Sequence, residues 1–270
     1  MNAQTGFEGQ RIWITGASSG IGAGMARAFG RAGATVILSG RNHEALAAVA
    51  ADVPDNVILP FDVADLQALP AVVHHAGLVD VLICNAGISQ RGLAEDTLME
   101  VYRAIMEVDF FAPVALTRLV LPAMLARGSG HLAVTASVAG KVGSPQRTGY
   151  SAAKHAVMGF FDSLRTEVAH RGVKVTTIVP GYVRTEIGAR ALTGDGSVKG
   201  AGADDTDAGI SADEAGAIIL AGFQAGMREI PVGGNGPEMA LLDLKRQNPD
   251  ALFDLMEQMG KAVVQKFKGR

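Results

Sequence analysis

Short runs of β-branched and apolar residues, each followed by a longer alanine-rich stretch, constrain this chain more than any other feature. The runs are Arg11–Thr15, Ala34–Leu38, Asn56–Leu59, Val79–Cys84, His131–Ala136 and Lys174–Val179, with a weaker one near Glu229–Val232. Within them, stretches such as Val-Leu-Ile-Cys and Thr-Thr-Ile-Val are apolar or neutral at consecutive positions. That suits strands covered by helices on both faces and does not suit strands with one wet face. The expected fold is α/β: a Rossmann-type doubly wound sheet of about seven parallel strands with helices on both faces.

No linker or repeat interrupts this alternation over 270 residues, so one domain spanning 1–270 is expected, its core at 9–235. Two parts depart from the pattern. Between Gly188 and Gly209, six glycines with Asp195, Asp204, Asp205 and Asp207 leave almost no large apolar side chain to anchor the backbone. The segment 186–211 therefore reads as a mobile loop, a lid over a substrate. In the extension 237–268, Leu241, Leu244, Leu252, Leu255, Met256, Met259 and Val263 have helical spacing, interrupted by Pro249. Two helices packed on the body or on a neighbouring subunit are expected; binding at a membrane surface is the alternative.

A net charge of −3 supplies no basic footprint, so nucleic acid is not an expected partner. The single Cys84 cannot close an internal disulfide, and no metal site is expected. The first nine residues carry no basic segment and no apolar stretch, so a secretory leader is not expected. The apolar stretch Phe110–Ala126 is cut by Pro113, Thr117, Arg118 and Pro122 and falls short of the roughly 20 residues a bilayer requires. A soluble, cytoplasmic protein without a membrane span is the expectation. Adjacent His74 and His75 diverge by about 100° on a helix and cannot chelate together. His155 belongs to a neighbouring helix face, and Trp13 and Cys84 read as core.

Glycine makes up 34 of 270 residues, nearly twice the usual share of about 7%, and several of these glycines cluster where chemistry can use them. Directly after the first strand comes Thr15-Gly16-Ala17-Ser18-Ser19-Gly20-Ile21-Gly22, then a helical run from Ala23 to Arg31. In that context Gly16 serves a tight turn, Gly20 lets backbone amides meet a pyrophosphate, and Gly22 lets the helix pack closely. Free N–H groups at the helix start then face the anion. A glycine turn holding no ligand is the competing reading. After the second strand the chain has Ser39-Gly40-Arg41 where NAD-preferring sites place a carboxylate. Arg41, helped by Ser18 or Ser39, can pair a 2′-phosphate, which favours NADP(H) over NAD(H). Alternatively, Arg41 caps a helix start beside Asn42 and Glu44.

Tyr150-Ser151-Ala152-Ala153-Lys154 lies in a helical pattern, so Tyr150 and Lys154 share one face. A phenol titrates near 10 and burial raises it, so proton exchange near neutrality requires a fixed positive charge beside it. An ammonium at about 4 Å supplies on the order of 4 kcal/mol at an effective dielectric near 20. Ser137 closes a strand at the edge where open α/β sheets bind ligands, placing its hydroxyl to hold a substrate oxygen against Tyr150.

Together these motifs, with Asn85-Ala86-Gly87 and Pro180-Gly181 followed by Thr185, resemble the classical short-chain dehydrogenase/reductase family over about residues 9–235. The run Ser137–Lys141 through Ser163–Glu167 is most similar to its branch of hydroxysteroid dehydrogenases and carbonyl reductases. The resemblance implies hydride transfer between a nicotinamide and a carbonyl or secondary alcohol, with Tyr150 as general acid or base. It implies that Lys154 lowers the Tyr150 pKa and holds the nicotinamide ribose, and that Ser137 orients the substrate oxygen. It places Asp62 and Val63 at the adenine, Asn85 and Gly87 along the ribose, and Thr185 with the backbone of Val183 at the carboxamide. Asp109 stands where the family usually has an asparagine tied to a helix kink and a proton-relay water, so it joins the catalytic candidates. The expected substrate is a small, largely apolar carbonyl or alcohol compound, and the expected assembly is a homodimer or homotetramer. A cofactor-binding scaffold or redox sensor without turnover is the alternative function. A sugar-nucleotide epimerase or dehydratase is disfavoured by the glycine spacing.

Overall fold

The computed structural model describes residues 6–234 and 236–269. Met1–Thr5, part of the segment read for a leader, lie outside the described residues, as do Asn235 and Arg270 of the expected 1–270 domain. The strands are β1 (Arg11–Thr15), β2 (Thr35–Ser39), β3 (Asn56–Ile58), β4 (Val81–Cys84), β5 (Gly130–Thr135), β6 (Val173–Pro180) and β7 (Glu229–Val232). The helices are α1 (Gly20–Arg31), α2 (His43–Ala50), α3 (Leu69–Ala76), α4 (Met99–Met106), α5 (Ala112–Arg127), α6 (Thr148–Val168), α7 (Ala212–Gln224), α8 (Pro237–Gln247) and α9 (Pro249–Lys268). All seven strands are parallel, in the spatial order β3-β2-β1-β4-β5-β6-β7. Strand boundaries fall within one or two residues of those read from the sequence.

Strand β1 shows why its residues are apolar without alternation. Ile12 and Ile14 enter one core layer with Phe29 of α1 and Ile219 of α7, while Trp13 enters the opposite layer with Leu116 of α5 and Phe161 of α6. All three strand residues are fully buried, each contributing about 1.5–3 kcal/mol of apolar transfer. The chain order reverses between β1 and β4, so their C-terminal ends diverge and open a crevice there.

A π-helical segment, Glu107–Phe111, joins α4 to α5 without a break. Pro113 has no N–H to give the Asp109 carbonyl four residues back, and a widened turn accommodates that missing bond. This corrects the expectation that the prolines cut the apolar stretch: the helix runs 29 residues, Met99–Arg127. Among the described residues it is the one helix long and apolar enough, by length and composition, to cross a membrane. In the protein it packs along α6.

The segment 186–211 is pinned to the body despite its few apolar residues. Leu192–Thr193 forms a two-residue parallel ladder with Gln90–Arg91, Ala191 is fully buried, and Asp205–Ala208 forms a single 3₁₀ turn. Polar contacts therefore supply the anchoring that the sequence reading expected to be missing. The C-terminal extension forms α8 and α9, and Leu242 and Leu252 insert into the core layer that holds Trp13.

Candidate active site

A cleft of about 340 Å³ opens at the switch point. The glycine loop forms its floor. Gly16 has φ +66°, and a Cβ there would lie 2.8 Å from the Ala86 Cα. A Cβ on Gly22 would lie 2.2 Å from the Gly16 carbonyl oxygen, so Gly22 serves packing beneath the loop and does not line the cleft. Ser19 precedes α1 in an extended conformation without a side-chain cap, leaving first-turn N–H groups without an intrahelical partner. Ser18, Ser19, Gly20 and Ile21 line the cleft beside them. A tight loop that excludes a Cβ at Gly16 and Gly22, next to an uncapped helix start, fits a dinucleotide phosphate.

Arg41, Asp62 and Val63 line the adjoining end. The Arg41 guanidinium is 76% exposed and 3.8 Å from the Asp62 carboxylate. It does not cap α2, because the Asn42 side chain accepts the Ala45 N–H at 3.0 Å. Ser39 is a correction: its Oγ is buried and accepts the Trp13 indole N–H at 2.9 Å. Its place in the strand turns it toward the core, so Ser18 alone of the two serines reaches the cleft.

Ser137, Tyr150 and Lys154 line the same cleft, as do Asn85, Ala86, Gly87, Pro180, Gly181, Val183 and Thr185. The Ser137 oxygen accepts the Ala139 N–H at 3.1 Å, which leaves its own hydroxyl proton to donate. On α6, the Lys154 Nζ lies 5.6 Å from the Tyr150 ring centroid and donates to the Thr135 carbonyl at 3.0 Å. The Asn85 amide is spent inside the protein. Its nitrogen donates to the Thr15 carbonyl and its oxygen accepts the Thr135 hydroxyl, each at 3.0 Å, which ties the ends of β1, β4 and β5 together.

Asp109 does not line the cleft; it lies buried behind Lys154. Its Oδ2 is 3.3 Å from the Lys154 Nζ, and its Oδ1 accepts the Ile88 N–H at 2.8 Å. Burial raises the Asp109 pKa, against the opposing pull of Lys154. For Lys154, burial lowers the pKa, but Asp109 and then Tyr150 outweigh it, and the net shift is upward.

The rest of the lining holds both apolar and charged side chains. Val138, Val142 and Leu241 meet Arg91, Arg147 and Glu238 there. Arg91 grips Asp204 through two bonds, 3.0 and 2.8 Å. Against the cost of burial, that grip holds the Asp204 carboxyl well below the usual carboxylate range. Arg147 holds Asp205 at 2.6 and 2.7 Å, and burial followed by Asp205 pushes the Tyr182 phenol up to about 12. Sequence reading missed these residues because arginines and aspartates scattered along loops carry no spacing signal.

Other residues fall where they were read. His74 and His75 are exposed, the His155 ring faces its own helix turn at the Ser151 carbonyl, and Trp13 is fully buried. Burial pushes the Cys84 thiol up to about 12, which makes it an inert core residue. Among the described residues no cluster of His, Cys, Asp or Glu could hold a metal ion.

A seven-stranded parallel sheet with a glycine cradle at its switch point, facing serine, tyrosine and lysine, defines a Rossmann-type oxidoreductase. The family model of short chain dehydrogenases matches residues 10–195, and the chain belongs to that family. It is 38% identical over 257 residues to mouse (Mus musculus) dehydrogenase/reductase SDR family member 7B, covering 91% of this chain and 79% of that protein. Among solved structures, it is similar to a short chain dehydrogenase from Burkholderia cenocepacia in complex with NADP. The TM-score is 0.79 with 26% identity, over 93% of this chain and 98% of that one. A putative NAD(P)-dependent gluconate 5-dehydrogenase from Beutenbergia cavernae, with bound NADP at low occupancy, has a TM-score of 0.71 and 29% identity. It covers 85% of this chain and 97% of that one.

Proposed function

We propose that this protein is an NADP(H)-dependent oxidoreductase interconverting a carbonyl and a secondary alcohol. The observation that carries the reading is the convergence of Ser137, Tyr150 and Lys154 on the cleft floored by the glycine loop. When bound, the nicotinamide supplies or takes the hydride. Ser137 donates its free hydroxyl proton to the substrate oxygen and fixes its position. Tyr150 delivers a proton to that oxygen in reduction and removes one in oxidation. Lys154, fixed by the Thr135 carbonyl and Asp109, stabilises the phenolate left behind.

The loop Gly16–Ile21 and the start of α1 would hold the pyrophosphate, Asp62 and Val63 the adenine, and Thr185 with Val183 the carboxamide. Arg41, held only by a long pair to Asp62, is placed to meet a 2′-phosphate, which supports NADP(H) over NAD(H). The B. cenocepacia relative's bound NADP agrees with that preference. Self-association belongs to the same proposal: Phe111 and Leu119 on the long helix are exposed, and light scattering that shows only monomer would remove it.

The test is NADPH oxidation against a panel of ketones and aldehydes, with the Tyr150→Phe variant alongside. The variant should bind NADPH as the parent does and lose turnover by about 10²–10⁴-fold. Turnover that persists in the variant, or NADPH binding with no turnover across the panel in the parent, would overturn the assignment.

A further inference from the structure

Helix α8 lies beyond the matched family region, yet it places a carboxylate in the cleft. Glu238 is 6% exposed and lines the cleft together with Gly181 and Tyr182. Its Oε1 accepts the Tyr182 backbone N–H at 2.8 Å. Its Oε2 is buried and has no hydrogen-bond partner, and no cation lies within ion-pair distance of it among the described residues. The surrounding backbone is shaped to admit the group: a Cβ on Gly181 would lie 2.3 Å from Oε1, and one on Gly236 would lie 2.4 and 2.5 Å from the two oxygens.

A carboxylate oxygen withdrawn from water with no donor is costly, and a site that pairs such an oxygen with a ligand donor discriminates strongly against ligands lacking it. A purely structural glutamate would have both oxygens satisfied by the protein. We infer that Glu238 is a specificity residue whose Oε2, brought by a turn of the side chain into the cleft the residue lines, accepts a hydrogen bond from a hydroxyl or ammonium group on the substrate, a group distinct from the reacting carbonyl. This rests on the carbonyl-reductase reading and narrows it: the substrate class is hydroxy- or amino-substituted carbonyl compounds, and the part of the lining that holds Glu238 is a polar subsite.

The experiment compares kcat/KM for cyclohexanone, for 2-, 3- and 4-hydroxycyclohexanone, for the corresponding methoxy ethers and for 4-aminocyclohexanone. At least one hydroxy or amino ketone should exceed both cyclohexanone and its methoxy analogue by about tenfold or more, chiefly through KM. The methoxy ethers accept but cannot donate; comparing the hydroxy with the amino arm identifies which donor is used. Glu238→Gln retains an oxygen for the Tyr182 N–H and turns the second position into a donor, so it should erase the advantage over the methoxy ether while its unfolding midpoint does not fall and its NADPH affinity stays within error of the parent. Glu238→Leu should erase it as well.

A second readout, independent of turnover, is calorimetric titration of the NADP-loaded protein with the 1,2-, 1,3- and 1,4-cyclohexanediols and with cyclohexanol; at least one diol should bind about tenfold more tightly. The inference is overturned if no donor-bearing ketone or diol is preferred, if the preference survives both substitutions, or if Glu238→Gln weakens NADPH binding tenfold. That last result would assign the carboxylate to the cofactor. Absence of turnover on every ketone counts against the reductase reading, and the diol titration still decides the role of Glu238.

Discussion

Replacing Asp109 by asparagine isolates the charge that stands behind Lys154. The Asp109 Oδ2 lies 3.3 Å from the Lys154 Nζ with both side chains buried. At an effective dielectric near 20, a pair at that separation attracts by about 5 kcal/mol, which favours the charged lysine. Asparagine that keeps its oxygen for the Ile88 N–H turns its NH2 toward the ammonium, so the carboxylate's attraction is lost and the Lys154 pKa should fall. The sign follows from the opposing causes at Lys154: burial lowers its pKa, while Asp109 and Tyr150 raise it. Without the carboxylate, burial is opposed less, and the lysine releases its proton at lower pH. The alkaline limb of kcat/KM should therefore move to lower pH. At pH 7 the ammonium persists and its field at Tyr150 is no longer offset, so turnover should be retained or improved. NADPH oxidation measured from about pH 6 to about pH 11, with the unfolding midpoint followed at each pH, reads both effects. Collapse of turnover at pH 7, or an alkaline limb that stays put or moves upward, would refute the reasoning.

Arg41→Asp should lower kcat/KM with NADPH by about 10- to 100-fold while leaving NADH within a few-fold, because a charged hydrogen bond to a phosphate contributes about 1.5–3 kcal/mol; equal losses with both cofactors would contradict the 2′-phosphate role. Arg91→Ala removes two charged hydrogen bonds from Asp204 and leaves it Lys199 at 3.6 Å and Thr206; urea unfolding should show a loss of about 1.5–3 kcal/mol, and adding Asp204→Asn should recover part of it. His131 should make the fold sensitive to acid. Its ring lies 2.8 Å from the Thr176 hydroxyl oxygen, and burial, then Lys174, lowers its pKa from 6.5 to about 4. Because the unfolded state takes up the proton first, its contribution is complete above pH 6.5 and fades as the pH falls toward about 4. About 2–3 kcal/mol is therefore lost by pH 4.5. His131→Asn should flatten the pH dependence of urea unfolding between pH 7 and 4.5; parallel curves for parent and variant would exclude the role.

What the sequence disclosed and what it withheld divide along chain distance. The sheet was legible because each strand satisfies its burial locally: Ile12, Trp13 and Ile14 go to opposite layers within three residues. The glycine cradle and the Tyr150–Lys154 pair were legible for the same reason, since one turn or one helix fixes both partners. The contacts that shape the substrate side join residues far apart. Arg91 and Asp204 are 113 positions apart, and Tyr182 and Glu238 are 56 apart. An arginine after a strand and a glutamate in the first turn of a helix look the same in sequence whether solvated or buried. The Ser39 error has a similar origin: one step along a strand reverses the facing of a side chain, and only the packed sheet shows that its hydroxyl meets the Trp13 indole. Asp109 lies between the two cases. Its departure from the family pattern was visible, but its partner is fixed by the widened turn at Pro113, which brings a third element against α6. Legibility therefore fails at the part of the cleft that holds Arg91 and Glu238, because their contacts are long-range polar pairs, whereas the glycine loop and the Tyr150–Lys154 pair are short-range motifs.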